Sequence, residues 1–319
     1  REQEQFYVLV SGDPTRPKKD HPVQPGWPFA TEKPDLREGR IEAFADWLTA
    51  PENPLFARVA VNRLWQWHFG EGLQKLPSDF GKSGGRPVNQ PLLDWLASEF
   101  VRRDYSMKEM HRLMVTSDAY RRASSVRAEL AEANHRIDPD NTRLWHFRLQ
   151  RLEAEPIWDS MHAAAGKLDL TVGGRSFDTG ESRRPGSKDR EEGSIRRAAY
   201  LTRGYSPNRE VTSHFLQSFD VDDGRAPCPM RTQTVTAPQA LFLMNSPDIE
   251  NASRDLAERV LKETNDLPEA VDLTYRLTLS RAPSHAEKAR AEAYLEDNPA
   301  RLKQLAWLLF NLDEFIYVR

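Results

Sequence analysis

Asn53-Pro54-Leu55-Phe56-Ala57-Arg58-Val59-Ala60-Val61-Asn62-Arg63-Leu64-Trp65-Gln66-Trp67-His68-Phe69-Gly70 is the stretch that decides the fold class. Asparagine before proline reads as an N-cap with Pro at the first helical position, and glycine is a natural stop. The stretch therefore predicts a helix from about 54 to 69 that ends at Gly70 or Gly72. Upstream, Ile41, Phe44, Ala45, Trp47 and Leu48 recur at helical spacing from Arg40 and give out near Pro51. Downstream, Asn89 before Pro91 opens a helix through Leu92, Leu93, Leu96 and Phe100. Ser106-Met107-Lys108-Glu109 then fits a capping box for a helix over Leu113 and Met114. The first third predicts a helical bundle with short links.

Further along, helices are expected over Ala237 to Met244, Ile249 to Leu261 and Leu267 to Leu279. Another follows a capping box at Ser284-His285-Ala286-Glu287, and a last apolar helix is expected from about 299 to Phe315. Pro156 requires its helix to begin near Leu152, which places Glu153 and Glu155 in the first turn. Strand signals are few. Phe6 to Val10 is aromatic and β-branched before a turn at Ser11-Gly12, Trp145, Phe147 and Leu149 alternate with polar residues, and Ala198 to Thr202 forms a third candidate. Six prolines between Pro14 and Pro34 predict an extended strap. Residues 171–195, rich in Gly, Ser, Arg and Asp, read as a mobile loop. The expected architecture is mainly α, a helical bundle with a small β-sheet and long irregular loops. Residues 1–36 form a strand plus proline-rich arm, and residues 37–319 form the mainly helical domain.

With 319 residues and a net charge of −3, no global field draws the chain to nucleic acid or to an anionic membrane. One cysteine, Cys228, excludes an intrachain disulfide, a CxxC pair and covalent haem attachment in this chain. No apolar run is long enough for a membrane span. The chain opens at Arg1 without Met or an apolar signal region, so any address segment is expected upstream. Arginine outnumbers lysine 34 to 11, which suits planar anion recognition as well as ordinary ion pairing.

Motifs narrow the chemistry. Gly81-Lys82-Ser83-Gly84-Gly85 spells a nucleophile elbow without the strand that must precede it, and Asp79-Phe80-Gly81 spells a kinase triplet without its companions. The eight histidines lie no closer than eleven residues apart, so no local zinc motif exists. Asp220, Asp222 and Asp223 resemble the opening of a calcium loop, but the glycine comes early and Arg231 stands near the place of the bidentate glutamate. On the helix over 54–69, Leu64, Trp67 and His68 share one face and Asn62, Trp65, Gln66 and Phe69 another. Such a mixture fits a helix buried on two sides, or a sugar platform in which a ring stacks and polar groups orient. His68 and Asp79 are the candidate acid/base groups. The loop from Arg231 to Gln239, with Thr236 as N-cap, fits either simple capping or an anion site. Glu153 and Glu155, at alternate positions, are expected on different helix faces in structural roles.

Trp47-Leu48, Asn53-Pro54-Leu55, Val61 to Gly70, Ser78-Asp79-Phe80-Gly81, Leu92 to Leu96 and Arg151 to Glu155 together resemble the planctomycete-specific PSD domain, a family of unknown function. Phe219-Asp220, Cys228, Arg231, Thr234, Pro238 to Leu241, Asn245 and Asn311 to Val318 resemble it in the same order. The resemblance implies a periplasmic or extracellular location within a larger protein that carries a second unknown domain and often a c-type cytochrome domain, so any haem belongs to a partner domain. It also implies a setting of polysaccharide breakdown. The functional expectation is a polar cleft of Arg63, His68, Asp79, Arg231 and Gln239, with Trp65 or Trp67 as the stacking platform, that takes acidic or sulfated glycan. The alternative is a scaffold that docks the cytochrome domain.

Overall fold

The structure, a computed structural model, describes residues 5–27, 39–177, 195–206, 209–210, 212–222 and 224–318. It is mainly α, with short two-stranded sheets. The chain forms two compact units, Arg1–Tyr120 and Arg121–Arg319.

The first unit begins with the hairpin β1 (Phe6–Val10) and β2 (Asp13–Val23), turned by Ser11 and Gly12, both at positive φ. The expected strap thus folds back as a strand as far as Val23. Its prolines are tolerated because a two-stranded ribbon is all edge, and the pairing shifts register twice. Pro28 and Pro34 lie outside the described residues. Four helices follow, α1 (Arg40–Thr49), α2 (Phe56–Phe69), α3 (Gln90–Arg102) and α4 (Met107–Val115). Asn89 and Ser106 cap α3 and α4 as their sequences predict, accepting from Leu92 N and Glu109 N. α2 ends on Gly70 at φ 86, a conformation that favours glycine. α2 packs on α3 and α4 and buries Val61, Leu64, Phe69, Leu93, Leu96, Phe100, Met110 and Met114.

The second unit holds α5 (Ala128–Ile137), β3 (Gln150–Arg151), α6 (Ala154–Ala164), β4 (Leu168–Asp169), β5 (Ile195–Arg196), β6 (Tyr205–Ser206), β7 (Arg209–Glu210) and α7 (His214–Ser218). It continues through α8 (Ala237–Asn245), α9 (Pro247–Glu263), α10 (Leu267–Leu279), α11 (His285–Leu295), α12 (Leu302–Phe310), α13 (Asp313–Ile316) and β8 (Tyr317–Val318). α6 packs against α9 and α10, α12 packs against α9 and α10, and Ile157, Met161, Phe215, Leu256, Val271, Leu309 and Phe310 form the centre of one apolar core.

Three expectations are corrected here. Trp145 to Leu149 is not a strand. Its alternation belongs to a loop whose partners are single groups: Asn141 Nδ2 donates to His146 O, Trp145 Nε1 to Asp138 O, and Phe147 N to Ala123 O. Ala198 to Thr202 is a 3-10 turn at Ala198–Tyr200 followed by a single bridge from Leu201 to Phe177. The last helix breaks at Asn311 and Leu312, and beyond the break Arg281 donates to both carboxylate oxygens of Glu314 on α13 at 2.7 Å. Of the loop expected over 171–195, residues 178–194 lie outside the described ones. The base at 171–177 is held by Arg196, which donates to the carbonyls of Thr171, Gly173 and Arg175 and lies over the Tyr200 ring.

Candidate functional site

Each unit contributes one cluster. In the first, α2 is almost wholly enclosed, and Arg63 and Trp67 are its only exposed residues. They stand four apart, one turn along the same face. Trp67 is 62% exposed, whereas Trp65 is 9% exposed and stacks on Phe69 at 4.0 Å between ring centroids. Of the two candidate platforms, Trp67 is the one that meets solvent. Leu64, expected beside Trp67, is buried.

His68 lies at the edge of that face. Its Nε2 is 2.8 Å from Nδ1 of His111 on α4, and the ring of Tyr120 meets it edge-on at 5.7 Å. Burial, and then the neighbouring His111, hold His68 below the ordinary imidazole range. Asp79 is occupied with its own loop: Oδ1 accepts from Gly81 N at 2.8 Å, Oδ2 accepts from Ser83 Oγ at 2.9 Å, and its carbonyl accepts from Gln74 Nε2 at 3.0 Å. The loop is closed so tightly that a Cβ on Gly84 would fall 1.9 Å from Asp79 O. These contacts explain the Gly-Lys-Ser-Gly-Gly spelling without any nucleophile. Asn62, on the α2 face it shares with Trp65, Gln66 and Phe69, is fully buried and exchanges two hydrogen bonds with the Gln74 backbone.

In the second unit the cluster surrounds the start of α6. Arg231 Nη1 donates to Glu153 Oε2 at 2.9 Å and to Glu155 Oε2 at 2.6 Å, and Nη2 donates to Glu155 Oε1 at 2.8 Å. The two glutamates were expected on different faces. They converge because Glu153 is the N-cap residue, with extended backbone, and so stands off the helical wheel. Burial pushes Glu155 up, but the Arg231 hydrogen bond, a backbone hydrogen bond and the Arg231 and Arg203 charges together outweigh it and leave the carboxyl below its ordinary range, while Arg231 is raised. Beside this fork, Arg151 Nη2 donates to Asp220 Oδ2 at 2.5 Å, and the same carboxylate accepts from Thr234 N, Thr234 Oγ1 and Gln239 Nε2. Thr236 is the N-cap residue of α8, as the sequence predicts, and its backbone N–H donates to Gln239 Oε1 at 3.1 Å.

Gln239 therefore stands in the Asp220 network and Arg231 in the Glu153–Glu155 fork, and Arg63, Trp67, His68 and Asp79 belong to the first unit. The Arg231 guanidinium is already matched to two carboxylates, so an acidic ligand there would have to displace them. The calcium donor set fits poorly: Asp220 faces a guanidinium, Asp222 accepts from Gly224 N at 2.7 Å, and Asp223 lies outside the described residues. Among the described residues no group of three or more His, Cys, Asp or Glu is arranged to hold a metal ion.

Arg231→Gln is expected to lower unfolding free energy by about 1–2 kcal/mol at pH 7, because two carboxylates lose their cation. Glu155 sits below its ordinary value when folded, so this contribution is present above that value and fades as pH falls through it. Urea unfolding at pH 7 and pH 4 checks this: the gap between parent and variant should narrow at pH 4.

The sequence profile of a family described as PSD1, protein of unknown function (DUF1553), matches residues 40–295. No curated protein and no solved structure matches the chain.

Proposed function

The chain belongs to this PSD1 family, and since a fold does not confer an activity, we propose that it is an extracytoplasmic domain that binds acidic or sulfated polysaccharide through the Arg63–Trp67 face of α2. The observation that carries the reading is the exposure of Trp67, with Arg63 one turn away, on a helix whose other residues are buried or half-buried. An indole face offers a sugar ring a flat apolar surface with little conformational entropy to lose, and a guanidinium one turn away supplies the fork that carboxylate or sulfate requires. Placing recognition here also avoids breaking the Arg231 fork. The extracytoplasmic setting, and any haem-bearing partner domain, rest on the family resemblance.

Thermal unfolding across neutral, uronic-acid and sulfated oligosaccharides tests the reading. A ligand at a hundred times its dissociation constant stabilises by about 2.7 kcal/mol, which gives a shift that is easily read. Trp67→Ala and Arg63→Ala are each expected to remove the shift given by acidic members. A shift that survives both substitutions would place recognition elsewhere. No shift with any glycan, together with binding to a c-type cytochrome domain, would favour the scaffold role instead.

A further inference from the structure

We propose that His68 and His111 form a two-nitrogen site for a divalent metal ion of tetragonal preference, Cu(II) or Ni(II). The glycan reading has no part in this argument. Nε2 of His68 and Nδ1 of His111 are 2.8 Å apart, with ring planes at 78°. At that separation one nitrogen must offer a lone pair to the N–H of the other, so the pair shares a proton between two bases and at least one imidazole is neutral. A metal ion is the other species two such nitrogens can share.

The spacing selects among metals. Two bonds of about 2.0 Å meeting at a right angle place their nitrogens about 2.8 Å apart, which is the edge between adjacent positions of a square-planar or octahedral ion. A tetrahedral ion with the same bonds needs about 3.3 Å, so zinc would force the helices or rings apart. To bind, each ring tilts about its χ2 axis until both lone pairs converge beside the line that joins the nitrogens. Both histidines are half-buried, so the change needs no opening of the core, and solvent is at hand to fill the remaining coordination positions. α2 and α4 pack against each other directly and hold the two side chains in register although 43 residues separate them. Cu(II) stands at the top of the affinity order for such ligands and is the probe of choice.

The experiment titrates Cu(II) into the untagged full chain that carries Cys228→Ser, which removes the exposed thiol as a competing ligand. It is followed by calorimetry and by electron paramagnetic resonance. One equivalent with hyperfine coupling to two imidazole nitrogens is expected. His68→Ala should weaken binding by more than the roughly 10–100-fold that loss of an outer-shell partner costs. His111→Asn serves as the variant that keeps the fold, because its amide overlays Nδ1 and can still hydrogen-bond His68 but is a poor copper ligand. It should fold with an unchanged melting temperature and lose the two-nitrogen signature. Absence of stoichiometric binding, or affinity and spectrum unchanged in His111→Asn, would overturn the proposal.

Discussion

Acidification from pH 7 to pH 4 is expected to remove about 3 kcal/mol of stability through one residue, His162, and His162→Leu is expected to abolish that loss. His162 lies on α6 in the core of the second unit, 4% exposed, its ring against Trp158 at 4.4 Å between centroids. Among the described residues neither ring nitrogen has a hydrogen-bond partner. Burial alone pushes its pKa from 6.5 down to about 4, because the imidazolium would have to leave water with nothing to receive its charge. Above pH 6.5 neither state binds the proton and the full stability is present. Between 6.5 and about 4 the unfolded chain takes a proton that the folded chain refuses, so stability falls with pH. Carboxylates act later: Glu287, held at about 2 by Arg281, loses its contribution only below its ordinary value of 4.5. The His162→Leu variant also removes two unpartnered polar atoms, so at pH 7 it should unfold at or above the parent's midpoint. Urea unfolding at half-unit steps of pH measures both, and a variant that weakens as steeply as the parent between 6.5 and 4.5 would contradict the assignment.

The second large effect is expected at Asn62. Its Nδ2 donates to Gln74 O at 3.0 Å and its Oδ1 accepts from Gln74 N at 2.8 Å, with Asn62 itself fully buried. The pair fastens α2 to the segment that leads into the Asp79 loop. A Cβ on Gly72 would come within 2.6 Å of the Asn62 amide, so the glycine is there to let it through. Asn62→Ala leaves a buried backbone N–H and C=O without partners, each costing about 1–3 kcal/mol, for a total of about 2–6 kcal/mol. Because a buried amide fits where an apolar group cannot satisfy the backbone, Asn62→Leu should do no better. Denaturant midpoints followed by tryptophan emission check this, and a loss under 1 kcal/mol would mean that Gln74 finds other partners.

The two sites explain what could be read early. Asn89, Ser106 and Ser284 announce helix starts in sequence because capping is local, satisfied by a backbone N–H three residues away, whereas Asn53 lies ahead of α2, which begins at Phe56 with Leu55 as its N-cap residue. Alternation at Trp145 to Leu149 misleads for the converse reason: a strand is defined by its partner, and here the partners are the Ala123 and Asp138 carbonyls and the Asn141 side chain. The Glu153–Glu155 pair looks divided on a helical wheel because the wheel assumes that both are helical, and only the observed start of α6 shows otherwise. Trp67 and Trp65 are indistinguishable by composition, and their exposure is decided by which side of α2 meets α3 and α4.

The sequence by itself determined a mainly helical chain, the starts and ends of most helices, the single thiol, and membership of one family. Each of these follows from contacts within a few residues or from the residues' identities. Only the tertiary structure decided that Arg231 meets glutamates 76 and 78 positions away, that His68 meets His111, and that His162 is sealed without a hydrogen-bond partner among the described residues. Those pairings are made by packing between helices distant in the chain, where apolar burial sets the approach and the polar groups accept whatever neighbour it delivers.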